Sequence, residues 1–401
     1  MGLRLRLVVA QALVGACCVG ASAELGPPAG AGSAPEADAA RSARAQPSVS
    51  PRFERFTLRS PRLSAFSGEE VSFEAMVLTP PDYDPALGWA THYVIHGFGS
   101  SALRTGMGYG GDALDRHTRG SAPPLLRVYL DANHPLGHHV FADSATMGPW
   151  GSALVDELLP AIEARYGALA VPAARFVSGH SSGGWSSLWL QIEHPEVFGG
   201  VWSLAPDPVD FRDFVNVDLY RAESMYVDAD GRATPLVREG GEVVTTLEAY
   251  VRRELREEAS GRRVFESFDA VFSPRGEDGR PLRVFDRDTG RIDHAVAESW
   301  RRFDIRDRVR REWAELGPRL RGKVRVIVGT EDTYYLDRPA RRLADELLAL
   351  GSDAAFLFVP GRGHVDLFDP HPELYPEGLL GRIEGEMWAA FMASGAAPKR
   401  R

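Results

Sequence analysis

The sequence has almost no cysteine, no excess of positive charge and no apolar run long enough to span a membrane. Two cysteines, Cys17 and Cys18, occur among 401 residues, and the formal net charge is −9. This charge balance argues against a nucleic-acid partner, because binding phosphates requires a surplus of Lys and Arg. With 44% hydrophobic and 25% charged residues, the chain otherwise has the composition of an ordinary soluble globular protein.

Residues 1–23 have the features of a secretory signal peptide. Arg4 and Arg6 form a basic start, an apolar stretch spans Leu7–Gly20, and Ala21–Ala23 is an A-x-A cleavage site. The apolar stretch is too short to cross a hydrocarbon layer of about 30 Å, so no membrane span is expected. We therefore predict a secreted or periplasmic protein.

Both cysteines lie inside this predicted signal peptide. Cleavage after Ala23 would leave a chain without cysteine, and hence without disulfides or a thiol nucleophile. The alternative is a bacterial lipoprotein signal over Val14–Cys17, in which a lipidated Cys17 becomes the new N-terminus. The protein would then be anchored by lipid at the cell envelope, and on either interpretation it leaves the cytoplasm.

Composition divides the rest of the chain into a linker and a folded domain. Residues 24–52 are rich in Ala, Gly, Pro and Ser, and they cannot bury enough apolar surface to offset the entropy of ordering, so a disordered linker is predicted. Over 53–401 we predict one domain in which short apolar runs alternate with helical patterns. The predicted strands are 71–78, 93–95, 125–130, 175–177, 201–204, 324–328 and 355–359.

The alternation of strands and helices predicts an α/β fold with a doubly wound, mostly parallel sheet. In such sheets functional residues collect at the carboxyl ends of the strands. The alternation weakens over 206–322, where the chain is polar and helices are predicted at 246–258 and 296–316. We interpret 206–322 as a largely helical insertion that forms a cap over the functional site.

A candidate nucleophile follows the predicted strand 175–177. The segment Gly179–Gly183 has the pattern G-x-S-x-G, with Ser181 at its centre. In a nucleophile elbow, a sharp strand-to-helix turn holds the serine in a strained conformation, and the flanking glycines avoid clashes with neighbouring backbone. The pattern alone is weak, but a strand pattern precedes it and a helix pattern follows it. Ser181 is therefore the predicted nucleophile.

A serine nucleophile needs a histidine base, which in turn needs a carboxylate to orient it. His364 follows the predicted strand 355–359 in a glycine-flanked loop, and Asp332 follows the strand 324–328. The resulting chain order of serine, acid and histidine is the order that an α/β-hydrolase requires. Glu331, next to Asp332, remains the competing candidate for the acid.

The oxyanion formed by serine attack needs two backbone N–H donors. We expect one from Ser182, at the start of the helix after the elbow. The other is expected from Phe98 in the segment His96–Gly99, where glycines allow the backbone to approach a substrate. The candidates for substrate contact are His180, Trp150 and Trp185.

Three histidines lie close together in the loop 134–139, and they raise the question of a metal site. Pro135 and Gly137 prevent the helix that would align His134 with His138 as ligands. We therefore predict no metal and no cofactor.

These motifs together resemble the bacterial "putative esterase" or esterase D-like family of α/β-hydrolases. The family includes feruloyl esterases, S-formylglutathione hydrolases, siderophore esterases and mycolyltransferases. The resemblance covers residue 53 to the C-terminus apart from the insertion, and it rests on the segments His96–Gly99, Gly179–Gly183, Gly329–Asp332 and Gly363–His364. It implies the α/β-hydrolase fold, with Ser181, Asp332 and His364 as the catalytic triad. The insertion is longer than compact members need, so the resemblance does not fix the substrate.

The predicted function is hydrolysis of a small-molecule or carbohydrate-linked carboxylic ester through an acyl-enzyme. Two alternatives remain open. The same machinery also serves acyltransferases and peptidases, and a secreted binding module could keep the fold after losing catalysis.

Overall fold

The computed structural model describes residues 52–256 and 263–397. The predicted signal peptide with Cys17, and the predicted linker as far as residue 51, lie outside the described residues. Within the two described ranges, no helix is long and apolar enough to cross a bilayer.

An eight-stranded sheet forms the centre of the fold. The ten strands longer than two residues are β1 (Phe53–Arg59), β2 (Ser72–Leu78), β3 (Thr91–Ile95), β4 (Leu126–Leu130), β5 (Arg175–His180), β6 (Gly200–Leu204), β7 (Pro235–Glu239), β8 (Glu242–Thr246), β9 (Val324–Gly329) and β10 (Ala355–Val359). The order in the sheet is β1-β2-β4-β3-β5-β6-β9-β10. The pairs β1–β2 and β2–β4 are antiparallel, and every pair from β4 to β10 is parallel. The predicted mostly parallel sheet is confirmed.

Helices cover both faces of this sheet, as the complete burial of the central strands requires. Every residue of β3 and β4 is buried, which is typical of parallel strands with helices on each side. The helices are α1 (Pro61–Ser67), α2 (Ala102–Thr118), α3 (Trp150–Ala153), α4 (Leu159–Tyr166), α5 (Ser182–Glu193), α6 (Leu247–Arg256), α7 (Val264–Phe272), α8 (His294–Ser299), α9 (Ile305–Leu320), α10 (Asp337–Ala349) and α11 (Leu379–Ala393). A π-helical turn at Leu154–Leu158 joins α3 to α4.

A buried ion-pair cluster attaches α11 to the sheet. The carboxylate of Glu384 in α11 accepts hydrogen bonds from Nε of Arg127 at 2.7 Å and from Nη2 of Arg116 at 2.8 Å. All three side chains are buried. Burial alone would raise the pKa of Glu384, but the two guanidinium groups hold it well below its ordinary value.

The predicted insertion contains more than helices. It includes the hairpin β7–β8, whose turn residues Gly240 and Gly241 have φ angles of 55° and 84°, as tight hairpin turns favour. The helix predicted at 246–258 corresponds to α6. The helix predicted at 296–316 is wrong as a single element, because a 3-10 turn separates α8 from α9. Asp304 caps the start of α9 by accepting the N–H of Asp307 at 3.0 Å.

Candidate active site

Ser181 lies in a strained turn between β5 and α5. Its φ and ψ angles are 60° and −123°, outside the regions that residues with a side chain normally occupy. A Cβ atom on Gly179 would overlap the backbone of Gly183, and one on Gly183 would overlap the carbonyl oxygen of Ile95. The close approach of three backbone segments therefore explains both glycines of the G-x-S-x-G pattern.

The structure brings His364 and Asp332 together at the carboxyl ends of neighbouring strands. Nδ1 of His364 lies 2.7 Å from Oδ2 of Asp332. The other carboxylate oxygen accepts the backbone N–H groups of Tyr334 at 2.9 Å and Leu336 at 3.2 Å. Burial alone would raise the pKa of Asp332, but the contact with His364 and these N–H donors hold it below its ordinary value. Asp332 is therefore a buried, ionised partner for the histidine ring.

The geometry favours Asp332 over Glu331 as the acid. Asp332 is fully buried beneath the ring of His364, whereas Glu331 is exposed. The backbone N–H of Glu331 donates to the carbonyl oxygen of Arg362 at 2.9 Å, and no contact joins its carboxylate to His364 in the described residues.

Asp207 is a second carboxylate at the site, and the sequence analysis assigned it no role. Its Oδ1 accepts the hydroxyl of Ser181 at 3.3 Å, and its Oδ2 accepts the hydroxyl of Ser182 at 2.6 Å. Burial raises the pKa of Asp207 to about 6, although the two serine hydrogen bonds act in the opposite direction. Asp207 lies three residues after β6. Because functional residues collect at strand ends in such sheets, this position was the signal that could have identified Asp207 from the sequence.

The segment His96–Gly99 approaches the elbow closely, as expected for an oxyanion-binding loop. A Cβ atom on Gly97 would lie 3.3 Å from Cβ of Ser181. The ring of His96 holds this loop: Nδ1 lies 2.8 Å from the carbonyl oxygen of Gly97, and Nε2 accepts the N–H of Ala132 at 2.9 Å. Phe98 lines the same cleft, and Ser182 begins α5 directly after the nucleophile.

A cleft of about 160 Å³ opens beside Ser181 and His364. The predicted cap contributes a mostly apolar wall to it, formed by Val215, Leu236, Tyr250, Val264, Phe265 and Phe268. The cleft can therefore bind an organic group beside the scissile bond while excluding water from it.

The three candidates for substrate contact occupy different places. His180 lines the cleft, and its Nε2 lies 2.9 Å from the carbonyl oxygen of His364, so it supports the histidine loop from below. Trp150 is buried against His139, with ring centroids 3.8 Å apart. Trp185 is buried against Trp189. Neither tryptophan is among the described residues that line the cleft, and we propose no substrate contact for them.

The histidines of the loop 134–139 are used for packing and hydrogen bonding. His139 stacks on Trp150, and Nε2 of His138 lies 2.9 Å from the carbonyl oxygen of His96. In the part of the chain that the structure describes, no group of three or more His, Cys, Asp or Glu side chains is placed to hold a metal ion.

Known proteins resemble the chain both in sequence and in structure. The family described as "Putative esterase" matches residues 73–346. A solved ferulic acid esterase is similar with a TM-score of 0.54 and 15% identity, covering 85% of this chain and 98% of that chain. FphF, a fluorophosphonate-binding serine hydrolase of Staphylococcus aureus, has a TM-score of 0.46 and 13% identity, covering 84% of this chain and 98% of that chain. No curated protein matches.

The structural similarity and the family match support two separate conclusions. The likeness to the ferulic acid esterase, together with the parallel sheet and its flanking helices, confirms the predicted α/β-hydrolase fold. The family match extends over more than half of the chain and supports ester hydrolysis. The chain therefore belongs to the putative esterase family.

Proposed function

We propose that the protein is a serine hydrolase that cleaves carboxylic esters through an acyl-enzyme formed on Ser181. The observation that carries this proposal is the strained turn at Ser181 in the same cleft as the buried pair of Asp332 and His364. Residues 53–401 would form one catalytic domain, and 206–322 would be the cap that selects the substrate.

The first chemical step transfers the proton of Ser181 to His364. Because Nδ1–H of His364 donates to Asp332, Nε2 is the unprotonated nitrogen that can accept this proton. Before this transfer, the hydroxyl of Ser181 exchanges its hydrogen bond to Asp207 for a hydrogen bond to Nε2 of His364. Oγ then attacks the acyl carbon, and the ionised Asp332 stabilises the imidazolium that forms.

Collapse of the tetrahedral intermediate completes acylation. The backbone N–H groups of Phe98 and Ser182 would hold the oxyanion, and His364 would return its proton to the departing alcohol oxygen. A water molecule deprotonated by His364 then attacks the acyl carbon, releases the carboxylic acid and restores Ser181.

The lining of the cleft indicates the general class of substrate. Its apolar cap wall fits an ester with a hydrocarbon or aromatic portion, as a small molecule or linked to a carbohydrate. One structural relative is a ferulic acid esterase, so a feruloyl ester belongs in a screen with esters of graded acyl length.

Labelling with a fluorophosphonate probe tests the proposal directly. Mass spectrometry of the folded protein should find one covalent adduct at Ser181, and Ser181→Ala should abolish both the adduct and ester turnover. Ser182→Ala, one residue away, should still be labelled. A folded wild-type protein without an adduct would contradict the proposal and favour a binding module.

Two further measurements separate the remaining alternatives. Product analysis with ester, amide and alcohol acceptors distinguishes hydrolysis from peptidase or acyltransferase activity. The mass of the mature N-terminus distinguishes the two proposed forms of export, because cleavage after Ala23 gives a chain starting at Glu24, whereas anchoring gives a lipidated Cys17.

A further inference from the structure

Asp207 is a buried carboxylate beside the nucleophile without a cationic partner. Within the described ranges, no Lys, Arg or His side chain forms an ion pair with it. Two other buried aspartates in the insertion have cationic partners, since Asp210 pairs with Arg306 and Asp269 pairs with Arg287. Asp207 is 9% exposed and lines the cleft, so its charge faces the space that a substrate would occupy.

The surroundings of Asp207 in the cleft are suited to a positive charge. Aromatic rings of Tyr250, Phe265, Phe268 and Tyr334 line the same space, and aromatic faces attract cations electrostatically. Arg104 is the one Arg or Lys among the described cleft-lining residues, and its Nη1 donates to Gly99 at 3.3 Å in the oxyanion loop. Among the described cleft-lining residues, no Arg or Lys side chain therefore pairs with Asp207, and the nearest titratable base is the proposed catalytic His364.

We propose that Asp207 is a specificity-determining residue that binds an ammonium group on the acyl part of the substrate. This inference rests on the proposed function, because it takes Ser181 as the atom that receives the acyl group. Oγ of Ser181 lies 3.3 Å from Oδ1 of Asp207. An ammonium two or three bonds beyond the acyl carbon therefore comes within ion-pair distance of the carboxylate.

The carboxylate has the capacity for this additional partner. An ionised carboxylate offers about four acceptor positions, and the hydroxyls of Ser181 and Ser182 use two of them. When Ser181 turns toward His364 to react, a third position is freed on the oxygen nearest the acyl group. A bound ammonium would also replace the hydroxyl as the partner of Asp207, leaving Ser181 free for attack.

Isosteric esters test this assignment. The p-nitrophenyl esters of β-alanine and butyric acid differ by an ammonium in place of a terminal methyl group, and the succinyl half-ester carries a carboxylate at that position. For wild-type protein we expect kcat/KM for the β-alanyl ester to exceed that for the butyryl ester by about 10- to 100-fold, the range of a charged hydrogen bond. The succinyl half-ester should be the poorest of the three.

Two aspartate-to-asparagine variants distinguish a specific role from a general one. Asp207→Asn keeps the shape and removes the charge, and it should bring the β-alanyl to butyryl ratio to within about threefold of one. Asp304→Asn is the matched control, because Asp304 is also a buried aspartate of the insertion, caps α9 and is not among the described residues that line the cleft. Its ratio should remain that of the wild type.

The outcomes are distinguishable from failure of the proposed function. Turnover of the butyryl ester through Ser181 without preference for the β-alanyl ester would overturn this inference alone. An unchanged ratio in Asp207→Asn, even with faster turnover of both esters, would likewise overturn it and assign Asp207 to holding Ser181. Absence of turnover and of probe labelling at Ser181 would overturn both proposals. If Asp207→Asn does not fold, the ratio of kcat/KM for the β-alanyl and butyryl esters in the wild-type protein tests the inference by itself.

Discussion

Arg238, in strand β7 of the proposed cap, donates from Nε to the main-chain carbonyl oxygen of Asp332 at 2.9 Å. Its Nη2 also donates to the carboxylate of Asp337 at 2.7 Å, and its guanidinium stacks over the ring of Tyr335 at 4.5 Å. The backbone N–H of Arg238 donates to Thr333 at 2.9 Å. A residue of the insertion therefore holds both ends of the loop that carries the proposed catalytic acid.

Removing this guanidinium should lower the rate of the chemical step more than substrate binding. We expect Arg238→Met to reduce kcat by about 10-fold or more with KM changed less than about twofold, because a displaced Asp332 orients His364 poorly. Steady-state kinetics with a butyryl ester measures both constants.

Two variants control for this effect. Arg238→Lys should recover part of kcat, since an ammonium can still donate to the carbonyl oxygen. Arg232→Met alters an exposed arginine of the same insertion, paired with Asp230, and should leave both constants unchanged. A rise in KM with normal kcat in Arg238→Met would show that Arg238 acts on substrate binding instead.

The backbone strain at Ser181 predicts that the proposed nucleophile destabilises the fold. Glycine adopts φ 60° and ψ −123° without a steric penalty, so Ser181→Gly should raise the free energy of unfolding by about 1 kcal/mol while abolishing activity. Urea unfolding measures this change. Ser181→Ala is the control, because it loses the hydroxyl but keeps the Cβ atom, and its gain should be smaller. Equal stability of the two variants would show that the turn stores no strain.

Local patterns predicted the sheet and the triad candidates because each has a short-range signal. The run 355–359 is β10, and 324–328 is β9 without its last residue. Ser181 lies between two glycines, which the close approach of neighbouring backbone segments requires. The proposed acid and histidine each follow the end of a strand. Such signals depend on residues that are neighbours in the chain, and they are therefore visible in a single sequence.

The roles of Asp207 and Arg238 depend on contacts between distant segments. Asp207 reaches Ser181 across 26 positions, and Arg238 reaches Asp332 across 94 positions. No local spacing predicts how the insertion docks on the sheet. Trp185, a predicted substrate contact, lies one helical turn after Ser181, but it is buried against Trp189 and is not among the described residues that line the cleft.

The ion-pair cluster on α11 should contribute strongly to stability. Glu384→Gln removes the counter-charge of the buried Arg127 guanidinium and leaves Arg116 with its pair to Asp112, so we expect a loss of about 3–5 kcal/mol in the free energy of unfolding. Glu74→Gln breaks an exposed pair with Arg55 at 2.5 Å and should cost far less, because water screens exposed ion pairs. Urea unfolding measures the loss in the free energy of unfolding for both variants. Similar losses would show that the buried cluster stabilises the fold no more than an exposed ion pair does.

The raised pKa of Asp207 predicts a dependence of stability on pH. In the unfolded chain this carboxyl ionises near 3.8, and in the folded protein burial raises its pKa to about 6. Between these values the folded state binds more protons than the unfolded state, so the free energy of unfolding falls as pH rises. The fall is complete above pH 7 and amounts to about 3 kcal/mol for a shift of about two units.

Asp207→Asn removes this titration, and the difference between the two proteins isolates it. The charged and titratable groups facing Asp207 are His364, Asp332 and Tyr334, and they are present in both proteins. The variant should therefore gain stability relative to the wild type steadily from pH 4 to pH 7, as measured by urea unfolding at each pH. A constant difference over this range would show that Asp207 ionises in the folded protein as it does in the unfolded chain.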